Sequence, residues 1–144
     1  MRISIIDAGT NTFKLIIAKI NGDNFQILDV VKRGVQLGKD SYRGNKISEA
    51  AFARAEECLL EFINIASSYD APIKNAFATA VVRDAGNGED FLRKVKEKTG
   101  ITMQTISGRF EAELIMKGVI SALPQLNGPV VIMDIGGGST EFVY

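Results

Sequence analysis

The sequence predicts an α/β fold in which a mixed sheet is flanked by helices and followed by the opening hairpin of a second, similar domain. Three observations predict it. Short apolar runs joined by turns fill the first 37 residues, apolar runs then alternate with amphipathic helices as far as residue 124, and a strand–turn–strand unit near the C-terminus repeats the first one. We therefore place domain I at residues 1–124 and the truncated start of domain II at residues 125–144.

Three strands are predicted at the start of the chain, over residues 2–8, 12–20 and 25–37. Asn21, Gly22 and Asp23 separate the second strand from the third and are typical of a hairpin turn. Strands joined by turns this short are antiparallel. The polar, glycine-containing segment 38–45 predicts a loop.

Helices and strands alternate in the rest of domain I. The apolar spacing predicts a helix of about 20 residues with Ser48 as its N-cap. It is followed by a strand over 74–82, a helix over 89–99 that ends at Gly100, a strand over 101–106 and a helix over 109–123 that stops at Pro124. The predicted order is βββαβαβα, and strands separated by helices are expected to be parallel.

The composition excludes several kinds of chemistry. Lys and Arg together number 17, as do Asp and Glu, and this zero net charge argues against a DNA partner. The absence of His excludes a His-based triad or zinc site within the chain. The single cysteine, Cys58, permits no internal disulfide. Since no apolar stretch reaches about 18 residues, we expect no membrane span and a cytoplasmic location.

An internal repeat carries the chemistry. Residues 5–16 can be laid over residues 132–143 with a constant offset of 127. Each copy has a strand, then Asp-x-Gly-x-x-Ser/Thr, then a second strand. The equivalent pairs are Asp7 and Asp134, Gly9 and Gly136, and Thr12 and Ser139.

This kind of turn suits phosphate. A tight hairpin directs several backbone N–H groups into one concavity, and glycine lets a ligand approach the backbone closely. An Asp at the strand end can hold Mg²⁺ directly or through water. The pattern is not a Walker A loop, because no Gly-Lys pair follows, and it is not a dinucleotide fingerprint, because the next element is a strand.

Three further residues have a structural and a functional interpretation. Arg83 follows a predicted strand, where it either contacts phosphate or pairs with Asp84 at the surface. Glu111 lies in the first turn of the last helix, either as a general base or as a surface group favoured by the helix dipole. For Arg33, on the third strand, the two interpretations are equally open.

Together these motifs resemble the exopolyphosphatase / guanosine pentaphosphate phosphohydrolase family, within the actin–Hsp70–sugar kinase superfamily. The matching segments are residues 6–12, 32–37, 78–83, 106–112 and 133–141. Superfamily kinases and chaperones share the glycine turns, but not the segments that contain Arg83 and Glu111. Thr10 and Thr12 stand where the family usually has serines, and Phe110 replaces a residue that is usually polar.

The resemblance implies an actin-like (ribonuclease H-like) fold. It also implies hydrolysis of a terminal phosphoanhydride of inorganic polyphosphate or guanosine pentaphosphate, and a role in the stringent response. It implies that Glu111 activates water and that Arg83 clamps the phosphoryl group. The phosphate-binding residues would be Gly9, Thr10, Asn11, Thr12, Gly136, Gly137, Gly138, Ser139 and Thr140. Mg²⁺, or another divalent cation, would be organised by Asp134, Glu141 and Asp7.

Two other functions stay open at this point: a small-molecule kinase of the same superfamily, and a non-catalytic protein that binds polyphosphate or guanosine pentaphosphate. Family members continue through a full second domain. We therefore expect the full-length protein to be an active homodimer and the 144 residues alone to have weak activity or none.

Overall fold

The computed structural model describes residues 1–39, 45–123, 125 and 128–144. The strands are β1 (Arg2–Ala8), β2 (Thr12–Asn21), β3 (Asn24–Gly34), β4 (Ile73–Ala78), β5 (Gln104–Thr105), β6 (Ile132–Ile135) and β7 (Thr140–Val143). The helices are α1 (Glu49–Ser68), α2 (Ala80–Asp84), α3 (Gly88–Thr99) and α4 (Gly108–Ala122). Most of the predicted loop over 38–45, together with Pro124 and Asn127 around the predicted domain junction, lies outside the described residues.

The first five strands form one mixed sheet in the order β3-β2-β1-β4-β5. β2 pairs antiparallel with both β1 and β3, whereas β4 pairs parallel with β1 and β5. The predicted strand directions are therefore confirmed. Because β1, β4 and β5 are parallel, their carboxyl ends share one edge of the sheet, which is where α/β sheets usually place ligands.

The core lies between this sheet and helices α1 and α3. Alternate residues of β2 are buried, as expected for a strand with one covered face. The apolar stripe predicted on α1 is confirmed, since Ala55, Leu59 and Phe62 are fully buried. The predicted ends of two helices are also confirmed: Ser48 Oγ accepts a hydrogen bond from the Ala51 N–H at 3.1 Å, and Gly100, with φ of 75°, ends α3.

The strand predicted over residues 74–82 is wrong beyond Ala78. The chain turns at Thr79, whose carbonyl accepts hydrogen bonds from the N–H groups of Val82 and Arg83 at 3.2 and 3.1 Å, and residues 80–84 form α2. The alternation that suggested a strand is explained by burial, because Ala80 and Val82 face the core from this short helix. Arg83 thus lies in a helix that the sequence did not predict.

Two other predicted strands are shorter in the structure. β3 ends at Gly34 because the N–H groups of Val35 and Gln36 donate to the carbonyl of Asn11 instead of continuing the ladder. The strand predicted over 101–106 pairs with β4 only at Gln104 and Thr105. The apolar residues around those two are still buried, which is what produced the strand-like pattern.

The C-terminal hairpin forms a separate two-stranded sheet that contacts α4. Its other face is open, with Met133, Ile135 and Phe142 each more than half exposed. No residue of α4 is fully buried, although its apolar spacing predicted an amphipathic helix. The proposed boundary between residues 124 and 125 stays a prediction. In the described part of the chain, no helix has the length and apolar character needed to cross a bilayer.

The packing of α1 generates a stability prediction. Phe62→Ala removes a fully buried ring and is expected to lower the free energy of unfolding by about 3–5 kcal/mol. Leu60, two residues earlier, is 42% exposed, so Leu60→Ala is expected to cost about 0.5 kcal/mol or less. Urea unfolding of both variants measures the difference, and equal destabilisation would contradict the assigned face of α1.

Candidate functional site

The turn between β1 and β2 is closed by a hydrogen bond from the Gly9 N–H to the Thr12 carbonyl at 3.1 Å. A Cβ at position 9 would lie only 3.0 Å from that carbonyl oxygen. Glycine therefore fits here without displacing that carbonyl. The turn follows the carboxyl end of β1 and lies at the ligand-binding edge of the sheet.

The turn between β6 and β7 has the same construction. The Gly136 N–H donates to the Ser139 carbonyl at 2.9 Å, and a Cβ on Gly136 would lie 3.2 Å from that oxygen. Gly136 and Ser139 are the residues that the sequence repeat aligned with Gly9 and Thr12. The repeat therefore extends to the hydrogen bond that closes each turn.

The two turns contact each other directly. A Cβ on Gly137 would collide with the side-chain amide of Asn11, and one on Gly138 would collide with Thr10 Oγ1. The Gly138 position is also tight against Ala80 Cβ, at 3.3 Å. The structure thus brings the two motifs that were predicted to bind phosphate face to face, and glycine at 137 and 138 permits the contact.

A cavity of about 300 Å³ lies between the turns. Most of the predicted site residues line it, namely Asp7, Gly9, Thr10, Asn11, Thr12, Glu111, Asp134, Gly136, Gly137, Gly138 and Ser139. Arg83, Thr140 and Glu141 are not among the described residues that line it. A volume of this size accommodates a few phosphate groups but not a large ligand.

Glu111 is positioned by the start of α4. Ser107 caps this helix, its Oγ accepting a hydrogen bond from the Phe110 N–H at 3.2 Å, and its carbonyl accepts one from the Glu111 N–H at 2.9 Å. The side chain of Glu111 is 17% exposed. Its Oε2 is buried and has no hydrogen-bond partner among the described residues. A buried carboxylate oxygen without a partner at a cavity is available to a ligand or to water.

Arg83 lies next to Glu111 and is not among the described residues that line the cavity. Its Nη1 donates to the Ile106 carbonyl at 3.0 Å and lies 3.6 Å from Glu111 Oε2, beyond hydrogen-bond distance. Its Nε donates to Asp84 Oδ1 at 3.1 Å, as the structural interpretation of Arg83 expected. Arg83 therefore pairs with Asp84 and faces Glu111 at the same time.

The surroundings raise the pKa of Glu111 above its usual value. Burial of the carboxyl is the largest cause, and the negative charges of Glu141 and Asp7 act in the same direction. The Arg83 guanidinium opposes them and favours the ionised form. Glu111 is thus a stronger base than an exposed glutamate, which is the property that a group activating water needs.

The residues that lie opposite the two repeat aspartates carry opposite charges. Asp7 lies opposite Lys14 in the β1–β2 register, and the Lys14 ammonium lies 3.3 Å from its carboxylate. At the equivalent position of the second copy, Asp134 lies opposite Glu141. In the described part of the chain, no group of three or more carboxylates is close enough to hold a metal ion. Asp134, Glu141 and Asp7 therefore do not form a preformed metal cage.

Sequence reasoning missed three described residues that line the cavity, Lys14, Thr79 and Ile135. The repeat offset marks Lys14 as the counterpart of Glu141, a reversal of charge that could have identified it. Thr79 gave no such signal, because it was placed inside a strand. Arg33 does not line the cavity and instead binds Glu61 through its Nε at 3.0 Å, which raises the pKa of Arg33 and lowers that of Glu61.

A family model described as the Ppx/GppA phosphatase family matches residues 16–144. This chain belongs to the Ppx/GppA phosphatase family. The resemblance found in the sequence is therefore confirmed, and the fold is the actin-like (ribonuclease H-like) α/β fold of this family.

Solved Ppx/GppA structures agree closely with this chain. An exopolyphosphatase from Cytophaga hutchinsonii is 38% identical and superposes with a TM-score of 0.92, over 99% of this chain and 46% of that one. The Aquifex aeolicus PPX-GPPA enzyme is 29% identical and superposes with a TM-score of 0.87, over 99% of this chain and 47% of that one. A bifunctional 3-dehydroquinate synthase/phosphatase from Fusobacterium nucleatum is 37% identical over 95% of this chain and 22% of its own length. The chain spans less than half of each.

The environment of Glu111 makes a prediction that needs no substrate. The pKa of its carboxyl is expected to lie above the usual 4.5. Glu141→Gln removes a negative neighbour and should lower this pKa, whereas Arg83→Met removes a positive one and should raise it. Carboxyl ¹³C chemical shifts followed against pH measure all three values. A wild-type pKa at or below 4.5, or shifts of the opposite sign, would contradict the assigned environment.

Proposed function

We propose that the protein carrying this chain hydrolyses terminal phosphoanhydride bonds, with inorganic polyphosphate as its substrate. The observation that carries the proposal is the buried Oε2 of Glu111, which has no hydrogen-bond partner among the described residues, beside a cavity lined by two glycine turns. The name of the Cytophaga hutchinsonii relative, an exopolyphosphatase, supports the same chemistry. Guanosine pentaphosphate presents the same terminal group, so we include it as a second substrate.

The two turns would bind the phosphate groups. The Gly9 and Gly136 N–H groups close the two turns, so the other backbone N–H groups of the turns would be the donors. The Lys14 ammonium lies on the same cavity and adds a positive charge. Fixed donors of this kind can stabilise the negative charge that spreads over the phosphoryl oxygens during transfer.

Glu111 would act as the general base. Its carboxylate accepts a proton from water as the water oxygen attacks the terminal phosphorus. The bond from that phosphorus to the bridging oxygen breaks, and the bridging oxygen leaves with the shortened polyphosphate. The products are orthophosphate and a chain one phosphate shorter. A base of raised pKa suits this step, provided that it stays ionised at the working pH.

Arg83 would keep Glu111 ionised. Its guanidinium lies 3.6 Å from Glu111 Oε2 and favours the charged form of that carboxyl. Arg83 is also anchored to the Ile106 carbonyl, which fixes its position. We therefore assign to Arg83 a role in setting the basicity of Glu111. The phosphoryl contact that the family resemblance implies stays a prediction, because Arg83 is not among the described residues that line the cavity.

We further propose that Mg²⁺ enters as part of the substrate. The described carboxylates form no cage, but Mg²⁺ commonly binds through one or two carboxylates together with water and phosphate oxygens. Asp134, which lines the cavity without an opposing cation in its register, is the first candidate contact, and Glu141 is the second. The homodimer and the cytoplasmic location stay predictions.

Loss of Glu111 tests the proposed reaction. In the complete natural protein that contains these residues, Glu111→Gln is expected to lower kcat for phosphate release from polyphosphate by roughly 10²–10⁴-fold. Glu113→Gln is the matched control, because Glu113 is 45% exposed and pairs with Arg109 on the same helix.

The wild-type rate should fall on acidification around a pKa above 4.5, since protonated Glu111 accepts no proton.

Three outcomes would contradict this proposal. Equal turnover in wild type and Glu111→Gln would remove Glu111 from the mechanism. Binding of polyphosphate without phosphate release would favour the non-catalytic protein. Phosphorylation of an added sugar or acid from ATP would favour a kinase. Orthophosphate assays with polyphosphate and with guanosine pentaphosphate, run beside binding measurements, separate these cases.

The metal proposal predicts a graded dependence on Mg²⁺. A chelator should abolish phosphate release, and added Mg²⁺ should restore it. Asp134→Asn should raise the Mg²⁺ concentration needed for half-maximal activity by roughly tenfold, because one oxygen ligand loses its charge. Asp23→Asn, in the exposed β2–β3 turn, is the control and should leave that concentration unchanged. Full activity in the chelator would contradict the proposal.

A further inference from the structure

The segment that follows β3, residues 35–38, is bound to the first turn, and we call it the strap. The N–H groups of Val35 and Gln36 both donate to the Asn11 carbonyl, at 3.0 and 2.9 Å. The Gly38 N–H donates to the Thr10 carbonyl at 3.3 Å. Both carbonyls in the middle of the first turn are therefore held by the strap.

Arg54 of α1 holds the strap from the other side. Its Nε donates to the Val35 carbonyl at 2.8 Å, and its Nη2 donates to the Gln36 carbonyl at 2.9 Å. Two donors of one planar guanidinium thus bind two successive carbonyls. Arg54 is not among the described residues that line the cavity between the turns. Any effect it has on the cavity must pass through the strap.

One peptide group connects Arg54 to the turn. The Val35 carbonyl and the Gln36 N–H belong to the same planar trans peptide, so they point in opposite directions. The carbonyl accepts from Arg54 and the N–H donates to Asn11. The Asn11 carbonyl in turn shares its peptide with the Thr12 N–H, which must therefore point away from the strap. Hydrogen bonds linked in this way also strengthen one another.

The strap needs to be held because its backbone is strained. Gln36 has φ of 52°, in the left-handed region that a side chain with a Cβ rarely adopts. Arg54 binds the carbonyl of this same residue. Without that bond, relaxation of Gln36 toward an ordinary conformation would rotate the N–H groups that hold the first turn.

We propose that Arg54 is a positioning residue for the first anion-binding turn, acting through residues 35–38 on the carbonyls of Thr10 and Asn11. The proposal rests on the function proposed above, in which this turn binds phosphate. It assigns Arg54 no contact with substrate. Its effect is to orient the donors at Asn11 and Thr12 before the substrate arrives.

The test compares three variants of the complete natural protein. Arg54→Met keeps the aliphatic stem and removes the guanidinium, whereas Arg54→Lys keeps the charge but offers a single donor group in place of the fork. Arg33→Met is the matched control, since Arg33 also joins β3 to α1, through Glu61, without contacting the strap. The measurements are amide hydrogen exchange at Gln36 and Gly38, and kcat and KM for polyphosphate.

In Arg54→Met, exchange at Gln36 and Gly38 is expected to accelerate at least tenfold and KM to rise about tenfold, with kcat changed less than about threefold. Arg54→Lys should restore part of both effects, and Arg33→Met should change neither. Unchanged exchange in Arg54→Met would overturn the connection through the strap. Faster exchange with unchanged KM would overturn the effect on the turn.

A failure of the proposed function is recognised separately. If the wild-type protein releases no phosphate, that function fails, and the affinity of the same variants for inorganic tripolyphosphate replaces KM. Weaker tripolyphosphate binding in Arg54→Met, together with faster exchange, would then support the positioning role. Wild-type affinity in Arg54→Met would overturn it.

Discussion

The structure depends on one steric constraint, the contact between the two glycine turns. Gly137 and Gly138 lie so close to Asn11 and Thr10 that neither position has room for a Cβ. A Cβ at either position would force the side chain of Asn11 or Thr10, or the second turn itself, to shift. The cavity that Asp134 lines lies between the two turns that meet at this contact.

The two turns have the same closing hydrogen bond, but the charged residues beside them differ. Each is closed by the same hydrogen bond, yet Lys14 stands opposite Asp7 whereas Glu141 stands opposite Asp134. The first acid therefore has a cation beside it within its own hairpin, whereas the residue opposite the second is another acid. Among the charges that raise the pKa of Glu111, Glu141 of the second hairpin contributes more than Asp7 of the first.

The sequence predicted the elements whose signals are local. The βββ start, the ends of α1 and α3 at Ser48 and Gly100, and the repeat that places Gly9 and Gly136 in equivalent turns are all local patterns. It failed at residues 80–84, because Ala80 and Val82 are buried from a short helix as they would be from a strand. Burial alone does not distinguish the two conformations. Arg54 was not identified for a related reason. An Arg on an amphipathic helix usually faces solvent, and the carbonyl groups that Arg54 binds are brought to it only by the tertiary fold.

The two turns are also held in different ways. The carbonyls of the first turn are bound by residues 35–38 and, through them, by α1 in the core of domain I. The second turn closes on itself and depends on the contact of its hairpin with α4. Because α4 also carries Glu111 in its first turn, the base and the second turn share one support, whereas the first turn has another. A shift of the C-terminal hairpin along α4 would therefore change the distance between Glu111 and Glu141 and would also disturb the contact between the two turns. The basicity of Glu111 is thus coupled to the position of the second turn, through the charge of Glu141.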